Sequence, residues 1–111
     1  MSEATGFHLT SLGDQRALLE PQHGINPADP ATAIETVLEQ LATLRLKRLY
    51  YDLSNVAVVD PVYYTFLNRL ASACHAIGIE MVGIGLQSHT AFALAAHMDE
   101  PPRFATAPGI D

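Results

Sequence analysis

Apolar and polar positions along this chain alternate between two rhythms, and each rhythm predicts its own kind of element. Phe7, Leu9 and Leu12 stand before Gly13-Asp14, and Ala17, Leu18 and Leu19 stand after it. Two short apolar segments around a dipeptide suited to tight reversal predict a β-hairpin from Phe7 to Leu19. Pro21, Gly24, Pro27 and Pro30 then constrain the backbone too often for regular structure, which predicts a loop. Asp29-Pro30 is a helix start, because the carboxylate can accept from unpaired N–H groups of the first turn and proline gives up a donor that has no partner there. Ile34, Val37, Leu38, Leu41 and Leu44 follow at three-and-four spacing, with Glu35, Glu39 and Thr43 mainly off that stripe. The pattern predicts a helix with one face on a sheet.

Arg48 to Leu53 is short, apolar and aromatic, and reads as a buried strand with Asp52 near its carboxyl edge. Ser54 and Asn55 release it into a loop, and Val56 to Val59 lead to Asp60-Pro61, a second copy of the same helix start. In the helix that follows, Tyr63, Phe66, Leu67, Leu70, Cys74 and Ile77 form the apolar stripe, and Tyr64, Asn68, Arg69 and Ser72 are expected on the solvent side. Gly78 is placed to end it in the left-handed conformation. Glu80 to Gly85 predicts another buried strand. Ser88 can cap a third helix reaching about Met98, with Ala91, Phe92, Ala95 and Met98 inward, until Pro101-Pro102 ends it. Arg103 to Thr106 supplies a last edge strand. The order β-β-α-β-α-β-α-β predicts an α/β fold, a mixed sheet with packed helices. Its core spans about residues 7–106, and 111 residues correspond to a single domain.

Composition narrows the function classes. About half the residues are apolar and a sixth are charged, the balance of a chain that buries a core. The formal net charge is −6, with only six Lys and Arg, three of them crowded into Arg45, Lys47 and Arg48. Such a surface cannot neutralise a phosphate backbone, so nucleic acid is not an expected partner. No apolar run approaches the roughly 20 residues that span a bilayer, and residues Met1 to Gly6 lack the regions of a signal peptide. Cys74 is the single cysteine, which excludes an intrachain disulfide. The expectation is a cytoplasmic protein without membrane insertion.

Candidate chemistry is sparse. Asp52 at a strand end could serve as a receiver-type phosphoacceptor, yet the first strand offers no acidic pair for Mg²⁺ and no Lys follows the strand ending at Gly85. Asp52 and Asp60 could be paired carboxylates, but capping accounts for Asp60 and no nucleophile stands near. His8, His23, His75, His89 and His97 include no pair at four-residue spacing, so no metal site is expected. Cys74 and His75 diverge by about 100° on a helix and cannot act together. Gly83 and Gly85 flank Ile84 without a phosphate-cradling loop. They are expected to permit close helix-to-strand packing, and a nucleotide or lipid in a gap near Gly83 is the alternative. No cofactor is expected, and the chain does not read as an enzyme.

The segment Leu49 to Gly85 resembles the STAS domain, the module of sulfate transporters and anti-sigma factor antagonists. Asp52-Leu53-Ser54-Asn55-Val56, then Val59-Asp60 opening a helix, then Val82-Gly83-Ile84 carry the likeness, which extends more loosely over Phe7 to Leu19 and His23 to Asn26. The resemblance implies a protein-interaction domain whose partner is an anti-sigma factor, a switch kinase or other STAS chains, homo-oligomers included. It also implies a phosphorylated Ser or Thr directly after the capping Asp. Here that position is Pro61, which has no hydroxyl, so the usual phosphoswitch is expected to be absent. Ser88 or Thr90 falls where some stressosome members carry a second phosphosite, although capping is the simpler role for Ser88. Compared with the family pattern, the final helix is expected to be missing or shortened. The expected partner-binding residues are Asp60, Pro61, Tyr64, Asn68, Arg69 and Ser88, with the aromatic Tyr64 as exposed anchor beside Arg69.

Overall fold

The computed structural model describes residues 6–22, 25–56, 58–87 and 101–110. The element order is β1 (Phe7–Gly13), β2 (Arg16–Pro21), α1 (Pro30–Ala42), β3 (Arg48–Asp52), α2 (Pro61–Ala76), β4 (Glu80–Ile84) and β5 (Ala105–Ala107). The expected third helix, with Ser88 and Thr90, lies outside the described residues.

β1 and β2 form the predicted hairpin, but the reversal falls one residue later than Gly13-Asp14. Asp14 and Gln15 both carry positive φ, 55° and 60°, and Gly13 pairs with Arg16 across them. A two-residue turn of that hand matches the right-handed twist of its strands, and for this reason it joins antiparallel neighbours well. β2, β3, β4 and β5 then run parallel to one another, giving a five-stranded mixed sheet in the order β1-β2-β3-β4-β5.

Each parallel step moves in the same direction across the sheet, so crossovers of one hand deliver their helices to the same side. Accordingly α1 and α2 pack against each other and share one core with Ala17, Leu19, Leu49, Tyr51, Leu53 and Met81. Alternation along the strands sends Tyr50, Val82 and Ile84 to the opposite side, where they form a smaller cluster with Leu12, Leu18 and Ala107. β3 is buried on both faces, as its unbroken apolar run requires.

The two Asp-Pro helix starts differ. Asp60 caps α2 through its side chain, whereas Asp29 makes no side-chain cap hydrogen bond; its backbone carbonyl receives Ala33 N–H at 3.3 Å. α1 buries Ile34, Val37 and Leu41 as its spacing predicts, but it ends at Ala42, and Leu44 beyond it is exposed. α2 is longer and more deeply set. Ile77, expected on its apolar stripe, is the C-cap and half exposed, with Gly78 at φ +82° completing the predicted left-handed stop.

Candidate partner-docking site

β3 ends on a local turn. Asp52 Oδ1 accepts from Ser54 N at 2.9 Å and from Ser54 Oγ at 2.6 Å, a side-chain turn that Asp favours after a strand. Leu53 N–H donates to Ile84 carbonyl at 2.8 Å, which lays the turn on the end of β4. Gly85 takes φ +72°, and a Cβ added there would stand 2.9 Å from Ser54 Cβ. The chain therefore leaves β3 and β4 through two turns in direct contact, and Asp52 is committed to one of them.

The approach to α2 is extended and alternates. Val59 is buried at 7% exposure and pins the loop to the core, while Val58 next to it is 69% exposed. Asp60 Oδ1 accepts from Tyr63 N at 2.8 Å, satisfying one of the first-turn donors that a helix leaves unpaired. Pro61 occupies the first helical position and is exposed, as are Val62 and Thr65. Pro27, Ala28 and Pro30 from the start of α1 face Pro61, Val62 and Thr65 across a shallow groove. The start of α2 thus leaves apolar Pro61 and Val62 exposed, and the loop that leads to it leaves Val58 exposed as well. Replacing Asp60 with alanine is expected to cost about 1 kcal/mol of stability by loss of the cap, with Asp60→Asn close to neutral, measured by urea unfolding.

Tyr63 and Tyr64 hold this turn from inside. Tyr63 Oη and Tyr51 Oη are 2.8 Å apart, and the rings of both stand edge-on to Phe66 at centroid distances of 5.8 and 6.5 Å. Burial raises both phenols above the ordinary tyrosine value, so the pair stays neutral and tethers α2 to β3. Burial likewise pushes the Cys74 thiol up to about 12, which leaves it a core residue and not a nucleophile.

Of the described residues expected on the docking side, three are exposed and two are buried. Asp60, Pro61 and Arg69 are exposed. Tyr64 is not: it is buried at 5% exposure, and Asn68 at 4%. The reason is that α2 buries a second flank. Asn68 Oδ1 accepts from Arg103 N at 2.8 Å, and Arg103 Nη1 donates to Ser72 Oγ at 3.0 Å, so the segment leading into β5 covers Asn68 and Ser72 on the side assigned to solvent. Ser88 lies outside the described residues. Gly83 also departs from expectation: a Cβ there would meet Leu53 Cδ1 at 3.1 Å and Phe104 at 3.3 Å. Side chains of the core occupy the place expected to hold a helix or a ligand. Val58 and Val62 were missed, although period-2 alternation against Val59 and helical offset from Tyr63 are the signals that mark them as outward.

No family model matches the sequence, and no curated protein matches it either. Solved structures do match. A serine-to-glutamate variant of RsbS from Moorella thermoacetica superposes with a TM-score of 0.76 at 19% identity, covering 92% of this chain and 88% of that one. A chain of the stressosome, described as a signal integration and transduction hub, gives 0.74 at 19% identity over 90% and 86%. The murine anion transporter Solute Carrier 26 family member A9 gives 0.66 at 15% identity over 92% of this chain but only 20% of the transporter. The chain therefore has the fold of the STAS domain, as the resemblance in Leu49 to Gly85 implied.

Proposed function

We propose that this chain is a non-enzymatic regulatory domain of the anti-sigma factor antagonist type, and that it docks a protein partner through the start of α2. The observation that carries the reading is the exposed apolar surface of Val58, Pro61 and Val62 beside the capped Asp60 turn. Large aliphatic side chains are left in water here although Val59 and Tyr63, their immediate neighbours, are drawn inward. The likeness in fold to RsbS and to a stressosome chain supports the same class of activity. The partner is an anti-sigma factor, a switch kinase or other STAS chains.

Pro61 stands where the family pattern carries a hydroxyl, so phosphate cannot switch docking at that position. Binding here is constitutive or controlled elsewhere. Asp52 is engaged with Ser54 in a turn, which favours a structural role over a phosphoacceptor one.

The test replaces Val62 with glutamate, a change tolerated in the first turn of a helix because a negative charge there is favoured by the dipole. Proteins retained from the native cell by the wild-type chain are expected to be lost from Val62→Glu and Val58→Glu and kept by Arg103→Lys. Identical sets retained by all variants would exclude this surface.

A further inference from the structure

Four of the six Lys and Arg residues in this acidic chain gather where the hairpin turn meets the start of β3: Arg16, Arg45, Lys47 and Arg48. Two of them are paired within the chain. Arg48 holds Glu80 Oε1 at 2.7 Å, and Arg16 stands 3.9 Å from Asp14. Arg45 and Lys47 are exposed, with no ion pair among the described residues.

Their backbone is nonetheless fixed. Lys47 N and Arg48 N both donate to Gln15 carbonyl, at 2.7 and 3.2 Å, and Gln15 Nε2 reaches Arg45 carbonyl at 3.4 Å. Arg45 itself is held at φ +53°, a conformation that a free surface loop would leave. The two cations sit on a pinned platform just past the end of α1.

The matching charge lies on α1. Glu35 and Glu39 are both exposed, and neither has an ion pair among the described residues. Four residues apart on one helix, they lie about 6 Å from each other along the axis and repel. Between the acidic pair and the basic pair stand Ala42, Thr43 and Leu44, all exposed, with Leu44 a large apolar side chain in water. The order of exposed positions along the chain is thus acid pair, small or apolar middle, basic pair.

Such an edge is complementary to itself when reversed. We propose that it is a two-fold interface between two copies of this chain, with the α1 helices antiparallel about an axis near Ala42 and Thr43. Glu35 and Glu39 of each copy then meet Arg45 and Lys47 of the other, twice over, and Leu44 is covered. A head-to-tail contact would leave one acid pair and one basic pair unmatched, so the closed dimer is favoured. Nucleic acid is disfavoured as occupant by the net charge of −6. This edge is separate from the start of α2, so either proposal can fail without the other.

Sedimentation velocity of the full chain tests it. The wild type is expected to dimerise, and to weaken by about tenfold or more when salt rises from about 50 to about 500 mM, as screening shortens charge interactions. Glu35→Lys/Glu39→Lys and Arg45→Glu/Lys47→Glu, each alone, are expected to be monomeric with unchanged circular dichroism. Mixed in equal amounts, they are expected to form a heterodimer with wild-type affinity, because exchange of both charge signs across the two copies restores every pair. A wild type that stays monomeric at about 100 μM, a dimer indifferent to salt, or double variants that dimerise alone would each overturn the proposal. So would a mixture that stays monomeric although wild type dimerises.

Discussion

Replacing Tyr64 with alanine is expected to lower the free energy of unfolding by about 3–5 kcal/mol, the cost of truncating a large aromatic in a packed core. The same change at Arg69 is expected to stay within about 0.5 kcal/mol, as for surface sites without special contacts. The two residues lie on the same helix, so the comparison isolates burial from helix propensity. Tyr64 is 5% exposed and belongs to the core with Phe66, Leu67 and Phe104. Arg69 is exposed. Urea unfolding measures both, and equal small losses would place Tyr64 back on the surface. For the proposed docking, loss of binding in a Tyr64 variant would report lost packing, and Val58 and Val62 are the positions that test the proposal.

Gly85→Ala is expected to destabilise by about 2–4 kcal/mol. The left-handed backbone at φ +72° alone costs a side-chain-bearing residue about 1–2 kcal/mol. The added Cβ would also stand 3.2 Å from Ser54 N and 2.9 Å from Ser54 Cβ, against a turn that cannot move without breaking the Asp52 hydrogen bonds. Gly78→Ala is the control. Gly78 has φ +82° with open space around it, so only the backbone cost of about 1 kcal/mol is expected. Thermal or urea unfolding of the pair separates the two contributions, and equal losses would show that the Ser54 contact is soft. Because Ser54 stands where the chain leaves β3 for the loop before α2, Gly85→Ala is also the variant expected to disturb the proposed docking from a distance.

Much of the scaffold was legible in residue order. Helix starts at Asp29-Pro30 and Asp60-Pro61, the stop at Gly78, and the buried strands at Arg48 to Leu53 and Glu80 to Gly85 follow from local chemistry. The structure bears them out to within a residue or two, apart from the missing side-chain cap at Asp29. The site was less legible. Helical spacing located one apolar stripe of α2, but it cannot say how wide an arc will be covered. Arg103, thirty-five residues after Asn68, closes the second flank. Similarly, the 2.8 Å link between Tyr51 and Tyr63 joins a strand to a helix, and no local pattern marks it.

The sequence by itself determined where the two helices start, that α2 stops at Gly78, and which strands are buried, because capping, proline geometry and periodicity act over a few residues. Tertiary structure alone decided that Tyr64 is drawn inside beside Tyr63, and that Asn68 is buried as a clasp on Arg103. The physical reason is that exposure is a property of what packs against a residue, and here the covering groups come from far along the chain.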